Sequence, residues 1–405
     1  MEQALAGIRV LEVAHWWFVP SAGAVLADWG ADVIKVEHPV TGDPQRGLIT
    51  SGLLPVGKGG FNFMWEQPNR GKRSIGIDIA APVGRELLYR LAETSDVFLT
   101  SFLPDARRRL EIDVEQIRAR NPNIIYVRGS GQGARGPDAE KGGYDGASFW
   151  ARGGLAAAFT GSVPDAEHPV GQRPAFGDGI GGLTIAGGIA AALFRRERTG
   201  KPSVLDISLL GTACWVLAPD ITSSPFLPKF PTFNRKLAPN PLVNQYRTKD
   251  DRWLIVIMLQ PDRFWADFCR HLDRPDLIDD PRFAEGTKRF ENREACVDEL
   301  DRVFASRTLD EWREKLDTMD GVWAPMQTPR EIHEDRQVIA NGYLPEVEGS
   351  DGSRFKLAQS PVQFDEVAPA LKSAPEHGQH TEEVLLELGI SWDEIAEYKR
   401  AKAIL

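Results

Sequence analysis

Three cysteines in 405 residues, Cys214, Cys269 and Cys296, are too few and too widely spaced for a disulfide framework. With no Cys-x-x-Cys among them they do not make a zinc site either, and they read as inert core thiols. The start, Met1-Glu2-Gln3-Ala4-Leu5-Ala6-Gly7, lacks a basic segment followed by an apolar one, so no secretory leader is expected and the expected compartment is the cytoplasm. No apolar run approaches the ~20 residues that cross a bilayer, and no membrane partner is expected. Positive charge is in deficit: 48 Lys and Arg against 58 Asp and Glu give −10 at pH 7. That balance disfavours nucleic acid as a partner and requires any anionic ligand to be held by a local cationic site. Internal repeats and low-complexity tracts are also missing.

What is present is an alternation of short apolar strands and amphipathic helices. Strands are expected over 8–13, 32–36, 74–79, 96–100, 124–128 and 204–208, with helices over 20–29, 82–93, 114–120 and 183–194 between them. Repeated βα units predict a doubly wound, Rossmann-like parallel sheet covered on both faces, with ligands at the carboxyl ends of its strands. The first βα turn, Ala14-His15-Trp16-Trp17-Phe18-Val19-Pro20, contains no glycine, so the pyrophosphate cradle of dinucleotide enzymes is absent and NAD is not expected. Glu37 closes the second strand, where an acidic residue meets a ribose in such folds; a surface charge reads equally well.

The length exceeds what one core supports, so at least two domains are expected. Residues 1–215 form the first part of the large α/β domain. Six prolines between 219 and 241 mark 216–241 as an extended linker. A smaller α+β domain follows over 242–323, with a buried strand at 253–258 and helices at 262–272, 293–305 and 309–319. A second linker covers 324–340, and a C-terminal segment, 341–405, ends in two helical stretches.

One carboxylate stands out. Phe176-Gly177-Asp178-Gly179-Ile180-Gly181-Gly182 reads as a glycine-rich turn running into the helix at 183, which places Asp178 at a helix entrance with little side chain around it. On local sequence alone a helix cap is the better reading, with a nucleophile as the alternative. Aromatic residues concentrate near the turns: Trp16, Trp17, Phe18, Phe61, Phe63, Trp65, Phe149 and Trp150. Such residues are usually core. Trp16 and Trp17, in the first turn, read as a pocket wall.

The segments Leu5-Ala6-Gly7-Ile8-Arg9-Val10-Leu11-Glu12, Leu26-Ala27-Asp28-Trp29-Gly30-Ala31-Asp32-Val33-Ile34-Lys35-Val36-Glu37 and Asn69-Arg70-Gly71-Lys72-Arg73-Ser74-Ile75 carry a family likeness. So do Gly129-Ser130-Gly131-Gln132-Gly133, Gly177-Asp178, Asp280-Pro281-Arg282-Phe283-Ala284 and Gly378-Gln379-His380-Thr381-Glu382-Glu383-Val384-Leu385. In this order and spacing the chain resembles the class III CoA-transferases, a family that includes formyl-CoA and carnitine CoA-transferases and the α-methylacyl-CoA racemases.

The resemblance implies that Asp178 takes the acyl group of an acyl-CoA as an anhydride, becomes an aspartyl-CoA thioester, and passes CoA to a free carboxylic acid. Backbone N–H groups around Gly179 are then expected to hold the oxyanion. Coenzyme A is the implied cofactor, as substrate and product, with no metal; the pocket aromatics point to a bulky apolar acyl group. His15, Trp16 and Trp17 match the loop bordering the pantetheine and the catalytic centre, and His38 follows the ribose contact. Phe102, Ala106 and Arg109 match residues near the adenine and phosphates, while Ser101 stands where the family usually has Asn. Helix geometry points Arg107, Arg108 and Arg109 in different directions, so two of them read as a solvated face; from the family match, Arg109 is the expected phosphate ligand and Lys72 the second.

The rival is the racemase branch. It uses a His-Asp pair where this chain reads Gly142-Gly143-Tyr144-Asp145, and a tyrosine, with its pKa near ~10, is a poor base at pH 7. Asp145 is expected to lie near Asp178. A CoA-binding subunit without turnover is the alternative of another class. Oxalate-type members carry a run of glycines where this chain has Leu237-Ala238-Pro239-Asn240-Pro241-Leu242-Val243-Asn244-Gln245, a stiffer loop. The family also forms an interlocked homodimer in which each chain makes a ring, and the C-terminal segment is expected to return to the first domain.

Overall fold

Strands form where β-branched and aromatic runs such as Val10-Leu11-Glu12-Val13 end at turns, and helices form behind them. In the computed structural model, which describes residues 3–48, 51–52, 61–163, 166–228 and 233–405, the chain divides into two compact units. The larger begins with β1 (Arg9–Val13), α1 (Phe18–Asp28), β2 (Asp32–Glu37), α2 (Phe63–Asn69), β3 (Arg73–Gly76) and α3 (Pro82–Glu93). It continues with β4 (Val97–Thr100), α4 (Pro104–Leu110), α5 (Val114–Arg120), β5 (Ile125–Ser130), a π-helix at Asp145–Ala151 and α6 (Leu155–Gly161), which from Ala158 onward counts with the second unit. Then come α7 (Phe176–Thr199), β6 (Val204–Ser208), α8 (Leu209–Val216) and α9 (Ala218–Ser223).

The six strands pair in parallel in the order β3-β2-β1-β4-β5-β6. The order reverses between β1 and β4, and the crevice beyond their carboxyl ends is where such folds bind ligands. Because side chains alternate along a strand, Val10, Val33, Val97 and Val127 face α1 and α7, while Leu11, Ile34, Phe98 and Tyr126 face α3, α5 and the C-terminal helices. The sheet is therefore covered on both faces.

The second unit takes Ala158–His168 and Lys229–Asp335. Its antiparallel sheet joins β7 (Val243–Arg247), β8 (Trp253–Ile257) and β9 (Trp323–Pro325). Helices α10 (Pro261–His271), α11 (Gly286–Glu291), α12 (Arg293–Phe304) and α13 (Leu309–Leu316) accompany it. Phe268, Phe304, Trp312 and Leu254 lie in its core.

The final stretch carries α14 (Arg336–Ala340), β10 (Glu346–Glu348), β11 (Arg354–Lys356), α15 (Thr381–Glu387) and α16 (Trp392–Arg400), and it clusters with the larger unit. Val384, Leu385, Ile390 and Ile395 pack on the sheet face of Leu11, Ile34, Phe98 and Tyr126, and Leu405 N–H donates to Gly76 O at 3.1 Å.

Three expectations need correction. Neither linker is simply extended: α9 and short 3-10 turns at Ser224–Phe226 and Arg235–Leu237 occupy parts of 216–241, and β9 and α14 occupy parts of 324–340. Proline at the first positions of these elements starts a turn rather than preventing one. Cys214 is exposed, unlike the buried Cys269 and Cys296. By length and composition α7 could cross a bilayer, contrary to the reading that no apolar stretch was long enough, and its packing against α1 accounts for that apolarity. Of the aromatics, Phe18, Trp65 and Phe149 are buried in the core, as such residues usually are, and Phe61 meets Phe355 at 4.3 Å with the rings tilted.

Candidate active site

Helix α7 starts at Phe176 rather than at 183, because the glycines that read as a turn are needed inside the helix where it crosses α1. A methyl on Gly181 would fall 2.3 Å from the Phe18 ring, and one on Gly182 would fall 1.8 Å from Ser21 Oγ. Asp178 therefore sits in the first turn and is not the cap. The residue before the helix, Ala175, has a left-handed backbone at φ 55° and no capping side chain. The cap comes from elsewhere: both carboxylate oxygens of buried Asp145, first residue of the π-helix, accept the Gly177 N–H at 3.1 Å. A Cβ on Gly177 would lie 2.4 Å from that carboxylate, so only glycine lets it approach.

Burial, and then the charge of Asp145, push the half-buried Asp178 carboxyl up to about 8. Burial raises Asp145 as well. Of the backbone N–H groups around Gly179 expected to hold an oxyanion, that of Gly179 itself donates to Ala175 O at 2.9 Å and that of Gly177 to Asp145. Gly179 also contributes room, with nothing among the described residues within 4 Å of where its side chain would be. Tyr144, next to Asp145, is 63% exposed, and Phe176, the first residue of α7, meets Phe149 edge-on at 6.0 Å.

The first βα turn approaches from β1. His15 N–H donates to Ser101 Oγ at 3.0 Å, joining the ends of β1 and β4 at the point where the strand order reverses. The His15 ring lies 4.8 Å from Phe102, and burial lowers its pKa, so the imidazole is neutral. Trp16 presents its ring to the edge of Tyr144 at 5.7 Å, and half-buried Trp17 precedes α1.

Ser101, Phe102, half-buried Ala106 and exposed Arg109 follow β4 and run into α4. Arg107 is buried and donates to Phe102 O at 2.7 Å, while Arg108 pairs with Asp105 and Glu140. Arg109 has no ion pair among the described residues. It is the arginine of the three left to meet a ligand.

Two of the expected CoA contacts fail on geometry. Lys72 is buried, its ammonium within 2.8–3.0 Å of both Glu12 oxygens, Pro20 O and Asn69 Oδ1, and it cannot reach a phosphate. Burial drives it down to about 7 against the pull of Glu12. Glu37 is also buried, with its carboxylate engaged by Arg46, Ser74 Oγ and Asp43 N–H, so it is not available to a ribose. Burial alone would raise it; Arg46, Lys35 and Ser74 overcome that and hold it at about 2. His38 is exposed, but its Nδ1 accepts from Val40 and Thr41 N–H. Asp43 escaped the sequence reading, although Gly42-Asp43-Pro44 just after a strand is a recognisable turn signal.

The model of CoA-transferase family III matches residues 5–381. The chain belongs to that family. Among relatives of this family III CoA-transferase, the (R)-2-hydroxy-4-methylpentanoate CoA-transferase of Clostridioides difficile is 30% identical over 99% of both chains. The cinnamoyl-CoA:phenyllactate CoA-transferase of Clostridium sporogenes is also 30% identical, over 99% of this chain and 97% of its own. A crystal structure of a CAIB/BAIF family protein from Brucella suis superposes with a TM-score of 0.79 at 28% identity, covering 96% of this chain and all of that one. Among the described residues no group of three His, Cys, Asp or Glu side chains is placed to hold a metal ion. The transferase thus presents an uncapped carboxyl, a glycine that leaves space beside it, and an aromatic rim.

Proposed function

We propose that this family III CoA-transferase exchanges CoA between an acyl-CoA and a free carboxylic acid through Asp178. The observation that carries the reading is Asp178 itself, half-buried in the first turn of α7, relieved of capping by Asp145 and followed by Gly179, whose missing side chain leaves room. The Asp178 carboxylate attacks the thioester carbonyl, the C–S bond breaks, and an acyl–aspartyl anhydride and CoA thiolate result. The thiolate attacks the aspartyl carbonyl, releasing the donor acid and leaving an aspartyl-CoA thioester. The acceptor carboxylate then displaces CoA to form a second anhydride, and the thiolate takes the acceptor acyl group and frees Asp178. One thioester replaces another, so no other source of energy is needed.

Arg109 is assigned to a phosphate of CoA, being the exposed arginine of α4 without an ion pair. Trp16, Tyr144 and Phe176 suit a branched or aromatic acyl group, and two relatives are named for (R)-2-hydroxy-4-methylpentanoate and for cinnamoyl-CoA and phenyllactate. The exposed apolar side chains Trp215 and Phe226 support burial in a homodimer. Tyr144 in place of a histidine base weighs against the racemase reading.

The test is mass spectrometry after incubation with acyl-CoAs and hydroxylamine, using acetyl-, succinyl-, 4-methylpentanoyl- and phenylpropanoyl-CoA. A hydroxamate at Asp178, strongest with the last two donors, is expected. Exchange of the α-proton with solvent, without a hydroxamate, would replace transfer by racemisation.

A further inference from the structure

Beneath the first βα turn lies a buried ionic cluster whose members bind the turn's backbone at three places, and the Ser101 hydroxyl binds it at a fourth. Lys35 Nζ donates to Ala14 O at 2.7 Å, Ser101 Oγ accepts from His15 N–H at 3.0 Å, Asp43 Oδ1 accepts from Trp16 N–H at 3.2 Å, and Lys72 Nζ donates to Pro20 O at 2.8 Å. The cluster is internally tied: Lys35 Nζ lies 2.8 Å from Asp43 Oδ2 and 3.1 Å from Glu12 Oε1, all of these side chains being inaccessible to solvent. Asp43 is fixed in turn, its N–H donating to Glu37 at 3.0 Å and its Oδ1 accepting Gln45 N–H at 2.9 Å.

The turn needs such restraint because Trp16 has φ 69°, a left-handed backbone that a bulky side chain adopts at a cost. In glycine-built turns of this fold the conformation is free. Here the residue is a tryptophan, and its ring reaches Tyr144, the neighbour of the aspartate that caps α7.

We infer that Asp43 is a positioning residue that holds Trp16 in its left-handed conformation and so sets the acyl-group selectivity of the site. The inference rests on the reading of Trp16 as part of the acyl wall. Asp43 is buried and acts only through the turn, Lys35 supplying the countercharge that allows a carboxylate to lie there. The selected class is bulky, apolar acyl-CoA over acetyl-CoA.

The test uses the full-length protein and Asp43→Asn, with two measurements. In hydrogen–deuterium exchange, amides of residues 14–20 are expected to exchange ~10-fold faster in the variant while those of β1 stay unchanged, since the opening is local. In hydroxylamine trapping, the ratio of Asp178 adduct from phenylpropanoyl-CoA to that from acetyl-CoA is expected to fall ~10-fold, because the wall and not the nucleophile is disturbed. Asp43→Glu, which keeps the charge beside Lys35 and displaces the acceptor oxygen, is expected to give the same pair of results and covers the case in which the asparagine variant does not fold. In a Trp16→Gly background the Asp43 substitution should no longer change the ratio, as expected of residues that act as one unit. Unchanged exchange at 14–20, loosening spread evenly over the chain, or equal loss with both donors would overturn the inference. Absence of any Asp178 adduct in the unaltered protein would instead remove the transfer reading, and the exchange data would still decide whether Asp43 restrains the turn.

Discussion

Two groups of carboxylates in the larger unit live under opposite rules. Glu12, Glu37 and Asp43, under the ends of β1 and β2, are buried, and each meets a lysine or arginine. Asp145 and Asp178, at the start of α7, are shielded from water with no ion-pair partner among the described residues, and each is pushed upward by burial. A carboxyl with a countercharge stays ionised as rigid framework; one without a countercharge holds its proton to higher pH and is the more reactive base once it loses it.

The pH linkage has opposite signs in the two groups. Asp178 is raised to about 8, so the folded protein keeps a proton that the unfolded chain releases, and stability falls as pH rises from the ordinary carboxylate range toward 8. Glu37 is lowered to about 2, so its contribution is present above the unfolded value and is lost as pH falls toward 2.

The contrast is broken most directly at Asp178. Asp178→Asn should cut turnover by ~10³-fold or more, the usual scale for loss of a covalent nucleophile. The same variant should melt higher than the parent at pH 8, because its amide need not ionise. A calorimetric profile in which both proteins lose stability equally between pH 5 and 8 would dissolve the distinction.

Next in size, Lys72→Met leaves Glu12 short of a partner inside the fold and should cost ~3 kcal/mol of stability, read from urea unfolding. Among folded molecules the KM for acyl-CoA should stay as it was. Arg109→Ala makes the converse prediction: an unchanged melting temperature and a KM for acyl-CoA raised ~10-fold through loss of a charge-assisted contact. If Lys72→Met moves KM and Arg109→Ala does not, the two lysine and arginine assignments are reversed.

The smallest effect belongs to Asp145→Asn. Removing its charge should move the rise of kcat/KM with pH to lower pH, and only modestly, since burial is the larger cause of the Asp178 shift. A pH profile that stays in place would mean that the two carboxyls do not sense each other.

The sheet was legible because its signals are local: β-branched runs, glycine and proline punctuation and helical periodicity predict β1 through β6 within a few residues. The start of α7 was not, since glycine argues against helix in isolation and Gly181 and Gly182 are required only by the approach of α1. The α7 cap lies 32 residues upstream, at Asp145, where no local pattern marks it. Lys72 shows the same limit: a lysine ahead of a strand reads as exposed, and its burial depends on Glu12, 60 residues away in sequence. Asp178 stood out because the glycines that flank it in sequence also flank it in the helix, whereas Tyr144 and Arg109 were read from the family resemblance and not from a local pattern.

The covering of β3 has a consequence for how the protein is made. This outer strand of the parallel sheet is completed by the far end of the chain: Ser74 N–H meets the His380 ring 306 residues later, and Ile77 bridges to Ile404. On the ribosome the first strands therefore emerge with one hydrogen-bonding edge bare, and they stay so until the last 30 or so residues are free to return. Synthesis at ~5–20 residues per second turns that distance into tens of seconds of exposure. Trimming or tagging the C-terminus would prolong that exposure in every molecule, so yield during expression, more than activity of the purified protein, should record how well the edge is closed.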